Sequence, residues 1–277
     1  MAPAELMTPK DLVFKFLSSR LELSALLWLE KNALRAGGAS DARITFANFS
    51  SAIRHSGKGP MLLKERELEE ADALVRGWKP SDWTLDQAAR IHLLLSLPPE
   101  PSSARLMDLL YQTADMGEAL ALMKALPLLP NPKDHLARAR EGARSNVKTQ
   151  FEAVALGNPY PALHFDEQAW NQLVSKAVFV DSPLDAIVGL ESRANKALNR
   201  LLTDLIRERL SAGRTFSPLL YRCLGPVADD ADLDLLEGVL GSGTAQEKAA
   251  VVQGLSWNLS PRAERIFFAN RERIAAT

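Results

Sequence analysis

Apolar residues recur along this chain at intervals of three and four, the spacing that lines one face of an α-helix. Leu12, Phe16, Leu17, Leu21, Leu23, Leu26, Leu27 and Leu29 open the pattern, and Gly37-Gly38 closes this first long helical segment. Ile44, Phe46, Phe49 and Ile53 predict a shorter helix, which Ser56-Gly57-Lys58-Gly59-Pro60 interrupts. That glycine pair has no preceding apolar strand, lacks the full glycine spacing and has no Ser or Thr after Lys58, so it does not read as a phosphate-binding loop. Residues 64–76 predict an amphipathic helix with Leu68, Ala71 and Val75 inward and Glu65, Glu67, Glu69 and Glu70 on a solvated face.

Residues 85–97 follow as a helix, with Thr84 as N-cap and Asp86 in the first turn to complement the helix dipole; Pro98-Pro99-Glu100-Pro101 stops it. Helices are then expected over 104–113, 116–126 and 134–156, the last open to division, with Pro127 and the turn at Pro130 and Pro132 between them. Past the stiff loop Asn158-Pro159-Tyr160-Pro161, Asp166 is placed to cap a helix whose stripe is Ala169, Trp170, Leu173, Val174, Ala177 and Val178. Residues 195–210 form another, with Leu198, Leu201, Leu202, Leu205 and Ile206 inward and Arg200, Arg207 and Arg209 outward. Three segments of similar length end the chain at 229–240, 244–257 and 261–274, each an acidic or polar start followed by an apolar stripe such as Leu233, Leu236, Val239 and Leu240. This form resembles the helix pairs of HEAT-type solenoids, which bury their faces by stacking on neighbours. The expected fold is all-α, a HEAT-like α-solenoid or an irregular helical bundle. It is read as one domain over 1–277, with a less regular half at 1–130 and a more repeat-like half at 131–277.

Composition supports helix: Leu, Ala, Arg and Glu dominate, and runs of β-branched residues are nearly absent. A net charge of -1 and a pI near 6.5 leave no basic footprint, so nucleic acid is not expected as a partner. The single cysteine, Cys223, sits among leucines and reads as a small buried hydrophobe rather than a nucleophile. Residues 1–10 do not form a secretory leader, and the most apolar windows, 91–97 and 120–129, are far short of a membrane span; a cytoplasmic location is expected.

No side-chain spacing amounts to a metal or cofactor motif. His55, His92, His135 and His164 are scattered, with no pair at helical spacing, and His92 lies in an apolar run where a satisfied helical histidine is the default. The densest polar cluster is Asn158, Tyr160, His164, Asp166, Glu167, Trp170 and Asn171, delivered by a proline-braced loop to the first turns of one helix. A helix N-terminus with such a set can line a pocket for an anion, and Arg144, Arg193 and Asn195 add a guanidinium and an amide if they converge there. The same residues have a plain reading in which Asp166 caps, Trp170 packs and Tyr160 bonds to backbone.

At these residues the chain resembles the EboA family of bacterial proteins. The central string is Asn158-Pro159-Tyr160-Pro161, Phe165-Asp166-Glu167, Ala169-Trp170-Asn171-Gln172, Lys176-Ala177, Phe179, Ser182-Pro183-Leu184, Gly189-Leu190 and Arg193-Ala194-Asn195. Trp83 to Arg90, Thr113 to Glu118, Leu126 to Pro130 and Phe151 to Ala155 add to it, so the likeness spans roughly residues 60–230. The resemblance implies a place in a pathway that makes or exports a small secondary metabolite, alongside the other proteins of that gene cluster, and it supplies no catalytic residues. Two functions follow as expectations. One is a non-catalytic scaffold or adaptor that presents a concave surface to a pathway protein or carries its small hydrophobic intermediate. The alternative is an enzyme with Asp166 or Glu167 as acid or base, His164 as proton carrier and Arg193 as anion clamp.

Overall fold

The computed structural model describes residues 7–38 and 42–275. Met1 to Leu6, part of the segment read above for a leader, lie outside the described residues. Among those described the chain is all-helical with no strand, and an isolated bridge pairs Pro60 with Thr84. Residues divide into two compact units, 1–166 and 167–277.

In the first unit, Thr8 caps α1 (Pro9–Ser18) through a reciprocal box in which Asp11 N donates to Thr8 Oγ1 at 3.2 Å and Thr8 N donates to Asp11 Oδ2 at 3.0 Å. The long opening segment expected from leucine spacing is in fact two helices, α1 and α2 (Leu23–Gly38). Arg20 explains the break. Its guanidinium donates to the Phe16 carbonyl at 2.8 Å and to both Glu67 oxygens at 2.8 and 2.6 Å, so the chain turns where periodicity alone would continue. α3 (Ala42–Ser56) and α4 (Glu65–Leu74) follow, then α5 (Leu85–Leu94).

α5 is the centre of this unit. Every residue from Asp86 to Leu94 is buried, because α1, α2, α3 and α7 (Met116–Ala125) all pack on it. Between α5 and α7 lies α6 (Pro101–Thr113), which begins three residues before the expected 104 because Pro101, whose missing N–H has no partner to lose at a helix start, stands in its first turn. The stretch 134–156 is divided: α8 (Leu136–Arg144) and α9 (Lys148–Ala155) pack on each other around Gly142, where a Cβ would meet Met123 Sδ and Val154 Cγ2 at 2.8 Å. The short α10 (Tyr160–His164) ends the unit.

The second unit holds α11 (Glu167–Phe179), α12 (Lys196–Ser211), α13 (Leu219–Leu224), α14 (Asp230–Ser242), α15 (Ala245–Leu255) and α16 (Pro261–Ala275). α13 was not expected. At six residues, between Pro218 and Pro226, it is too short to show a period. Caps fix three of the others: Asn195 accepts from Leu198 N at 2.9 Å, and Asp229 and Thr244 form boxes with Asp232 and Glu247. Buried Asp232 also accepts from Asn199 Nδ2 at 2.6 Å and Thr203 Oγ1 at 3.0 Å, tying α12 to α14.

α13 and α15 approach closely enough to exclude a Cβ. One added to Gly254 would stand 2.6 Å from the Arg222 carbonyl oxygen. Gly254→Ala therefore lowers stability by about 2 kcal/mol, since overpacking outweighs the gain in helix propensity. Gly238→Ala in α14, where a Cβ meets nothing within 4 Å, has the opposite sign. Urea unfolding of the two variants checks this, and a stabilised Gly254→Ala chain would contradict the close approach.

Candidate functional site

The polar cluster singled out in the sequence divides at the boundary between the units. In the first unit, buried Asn158 donates from Nδ2 to the carbonyls of Met123 at 3.3 Å and Ala153 at 3.1 Å, and its Oδ1 accepts from Tyr160 N at 3.0 Å. Tyr160 is fully buried, donates its hydroxyl to the Pro132 carbonyl and has its phenol pushed up to about 12 by burial. His164 packs on that ring with centroids 4.6 Å apart, and desolvation lowers its pKa. Asp166 is exposed and accepts from Arg140 at 2.6 Å, while Arg144 is exposed at the end of α8.

In the second unit, Glu167 is exposed at the start of α11. Trp170 is fully buried under the Arg193 guanidinium, 5.2 Å from its ring centre. Asn171 and Asn195 exchange amide hydrogen bonds of 3.1 and 2.8 Å, so the N-cap of α12 is fastened to α11. Asn158 and Tyr160 in the first unit, and Asn171 with Asn195 in the second, brace loops against helices.

Two cavities lie elsewhere, and neither is lined by any residue of that cluster. The first, about 660 Å³, lies between α1, α2 and α5 and is bordered by Phe14, Ala33, Leu34, Gly37, His92 and Ser96, with Lys10, Asp11 and Glu30 also at its edge. Its size falls in the range of small-molecule pockets, about 300–1,000 Å³. Leu34 is 79% exposed there and continues a stripe of exposed leucines on α2, Leu23 and Leu27.

His92 is the buried polar group of this cavity. Its Nδ1 lies 3.3 Å from the Lys10 carbonyl, an acceptor, which places the ring proton on Nδ1 and leaves Nε2 with a lone pair. Burial pushes its pKa down to about 4, so the ring is neutral near pH 7. Phe14 packs against it at 5.2 Å between centroids, and Ser96 donates its hydroxyl to the His92 carbonyl at 2.8 Å. The cavity thus offers the apolar side chains of Phe14, Ala33 and Leu34, a neutral imidazole, and the charged Lys10, Asp11 and Glu30 at its edge.

Sequence reasoning passed over this site. His92 is the satisfied helical histidine expected, but the partner that satisfies it beside the cavity, the Lys10 carbonyl, lies 82 positions away. A usable signal was present in α2, whose leucines cover more than one face; a surface helix needs only one apolar stripe.

The second cavity, about 600 Å³, lies in the second unit among α11, the loop after it, α12 and the segment entering α13. Both cavities therefore belong to an all-α protein with room for small molecules, and no helix among the described residues is long and apolar enough to cross a membrane. Residues 9–225 match the family model described as metabolite traffic protein EboA, and the chain belongs to that family. No curated protein and no solved structure matches it. Both cavities fall inside the matched span.

Proposed function

We propose that this protein is a non-catalytic carrier that holds a small, uncharged, largely apolar metabolite in the cavity between α1, α2 and α5 and presents it to other proteins of its pathway. The observation that carries this reading is neutral His92 beside Phe14, Ala33 and Leu34: apolar side chains around an open cavity, with an acceptor for one ligand hydroxyl. The family description, metabolite traffic protein, supports transport over conversion. The acid at the loop favoured by the enzymatic alternative, Asp166, is exposed and occupied by Arg140, which supports the same side. In the second unit α15 touches α13, α14 and α16, and α14 touches α16; this supports a HEAT-like stack there, a surface suited to protein partners.

Naphthol and naphthalene, a fluorescent pair that differ by one hydroxyl, test the reading. Naphthol binds saturably to the full chain, Ala33→Trp fills the cavity and abolishes binding, and His92→Asn weakens naphthol about five- to tenfold while leaving naphthalene unchanged. Bound probe is released chemically unaltered. Naphthol binding that survives Ala33→Trp would place the ligand elsewhere and overturn the proposal.

A further inference from the structure

We propose that the cavity beside Phe179 in the second unit is a separate ligand site, for an amphiphile whose carboxylate is held by Arg209 and whose apolar part lies against Val178, Leu205 and Phe216. This site shares no residue with the cavity between α1, α2 and α5, and it stands or falls independently of the carrier reading.

Three observations lead to it. Phe179, the last residue of α11, is 87% exposed at the edge of the cavity, although burying a phenylalanine side chain stabilises by about 1.5–3 kcal/mol. Val178, Leu184, Leu205, Phe216, Leu219 and Leu220 supply the apolar part of a cavity of about 600 Å³. Arg209 is the one cation of that lining. Its Nε forms a long ion pair of 3.7 Å with Glu208 Oε2, while the other oxygen of Glu208 accepts from Arg214 at 3.0 Å. A guanidinium in the lining of a cavity, paired with its neighbouring acid only beyond hydrogen-bond length, is matched by a carboxylate, which accepts two parallel hydrogen bonds from that planar fork.

Asp181 also borders the cavity, on a left-handed turn with φ 53°, and already has an interaction of its own. As the acid of the lining it opposes an anion, which sets the sign of one test. The hydroxyl-bearing residues Ser182, Thr215 and Ser217 complete the polar side of the cavity.

Dodecanoate below its micelle concentration and uncharged dodecanol serve as probes, titrated calorimetrically into the full-length protein. Dodecanoate binds one site; Arg209→Met weakens it about tenfold or more and leaves dodecanol within about twofold. Arg209→Gln, which keeps a polar end at the surface, gives the same loss and guards against a folding defect in the first variant. Phe179→Ala weakens both probes without lowering Tm, because the side chain is exposed in the free protein, and Asp181→Asn tightens dodecanoate by a few fold. The proposal is overturned if dodecanoate does not saturate, if both Arg209 variants bind it like the parent chain, or if Ala33→Trp is the change that removes it.

Discussion

Replacing Asp86 with alanine lowers the stability of the first unit by about 4 kcal/mol, the effect of leaving a buried charge without its partner. Asp86 and Arg90 lie one turn apart on α5, each 2% exposed, and their side chains are paired. Arg90 Nε donates to the Phe49 carbonyl of α3 at 3.0 Å, and its guanidinium lies 5.6 Å over the Phe49 ring. The Thr84 hydroxyl donates to Asp86 Oδ1 at 2.7 Å, so the acid also holds the start of the helix. Without the carboxylate, Arg90 keeps one carbonyl and one aromatic face in a site closed to water. Converting both residues, Asp86→Leu with Arg90→Met, restores most of the loss, because the paired charges gain little over well-packed apolar groups once desolvation is counted. Urea unfolding of the single and double variants measures this; a single-variant loss under about 1 kcal/mol would mean that Arg90 finds water or another acid.

Acid weakens the folded state through His92. Its pKa falls from 6.5 to about 4 on folding because burial disfavours the imidazolium. The unfolded chain therefore takes up this proton first. The stability associated with neutral His92 is fully present above pH 6.5, declines as pH falls from 6.5 to about 4, and is lost by about 3 kcal/mol below that. His135, lowered by burial while its Nε2 faces the Pro130 carbonyl at 3.1 Å, and His164 act in the same direction, so the parent chain loses more than this one component. His92→Asn retains a donor for the Lys10 carbonyl and removes the titration. The difference in unfolding free energy between parent and variant therefore changes across this window and is flat above pH 7. A difference independent of pH would show that His92 is hydrated and titrates alike in the folded and unfolded chain, and one of opposite sign that it is paired as a cation.

The helices were legible because they rest on local spacing and caps. Thr84, Asn195, Asp229 and Thr244 each announce the start of a helix within four residues of sequence. What escaped was decided by distant groups. The break between α1 and α2 depends on Glu67 receiving Arg20, 47 residues on, and α13 is held by its packing against α15 rather than by a stripe of its own. The candidate cluster illustrates the same limit. Asn158 and Tyr160 bond to Met123 and Pro132, carbonyls that every residue carries and that no sequence pattern marks as partners. A polar loop and a polar pocket look alike in sequence because the difference lies in which backbone oxygen comes within hydrogen-bond reach.

Cys223 is 4% exposed, and burial pushes its thiol up to about 12. Thiolate, the form that reacts with electrophiles, is scarce there at neutral pH. Because this is the chain's one cysteine, the protein comes with a chemically silent background. A cysteine introduced at Leu34 or at Phe179, both exposed on the edge of a cavity, becomes the single site that takes an environment-sensitive dye. The filling of each cavity can then be followed separately, in the intact molecule and in real time.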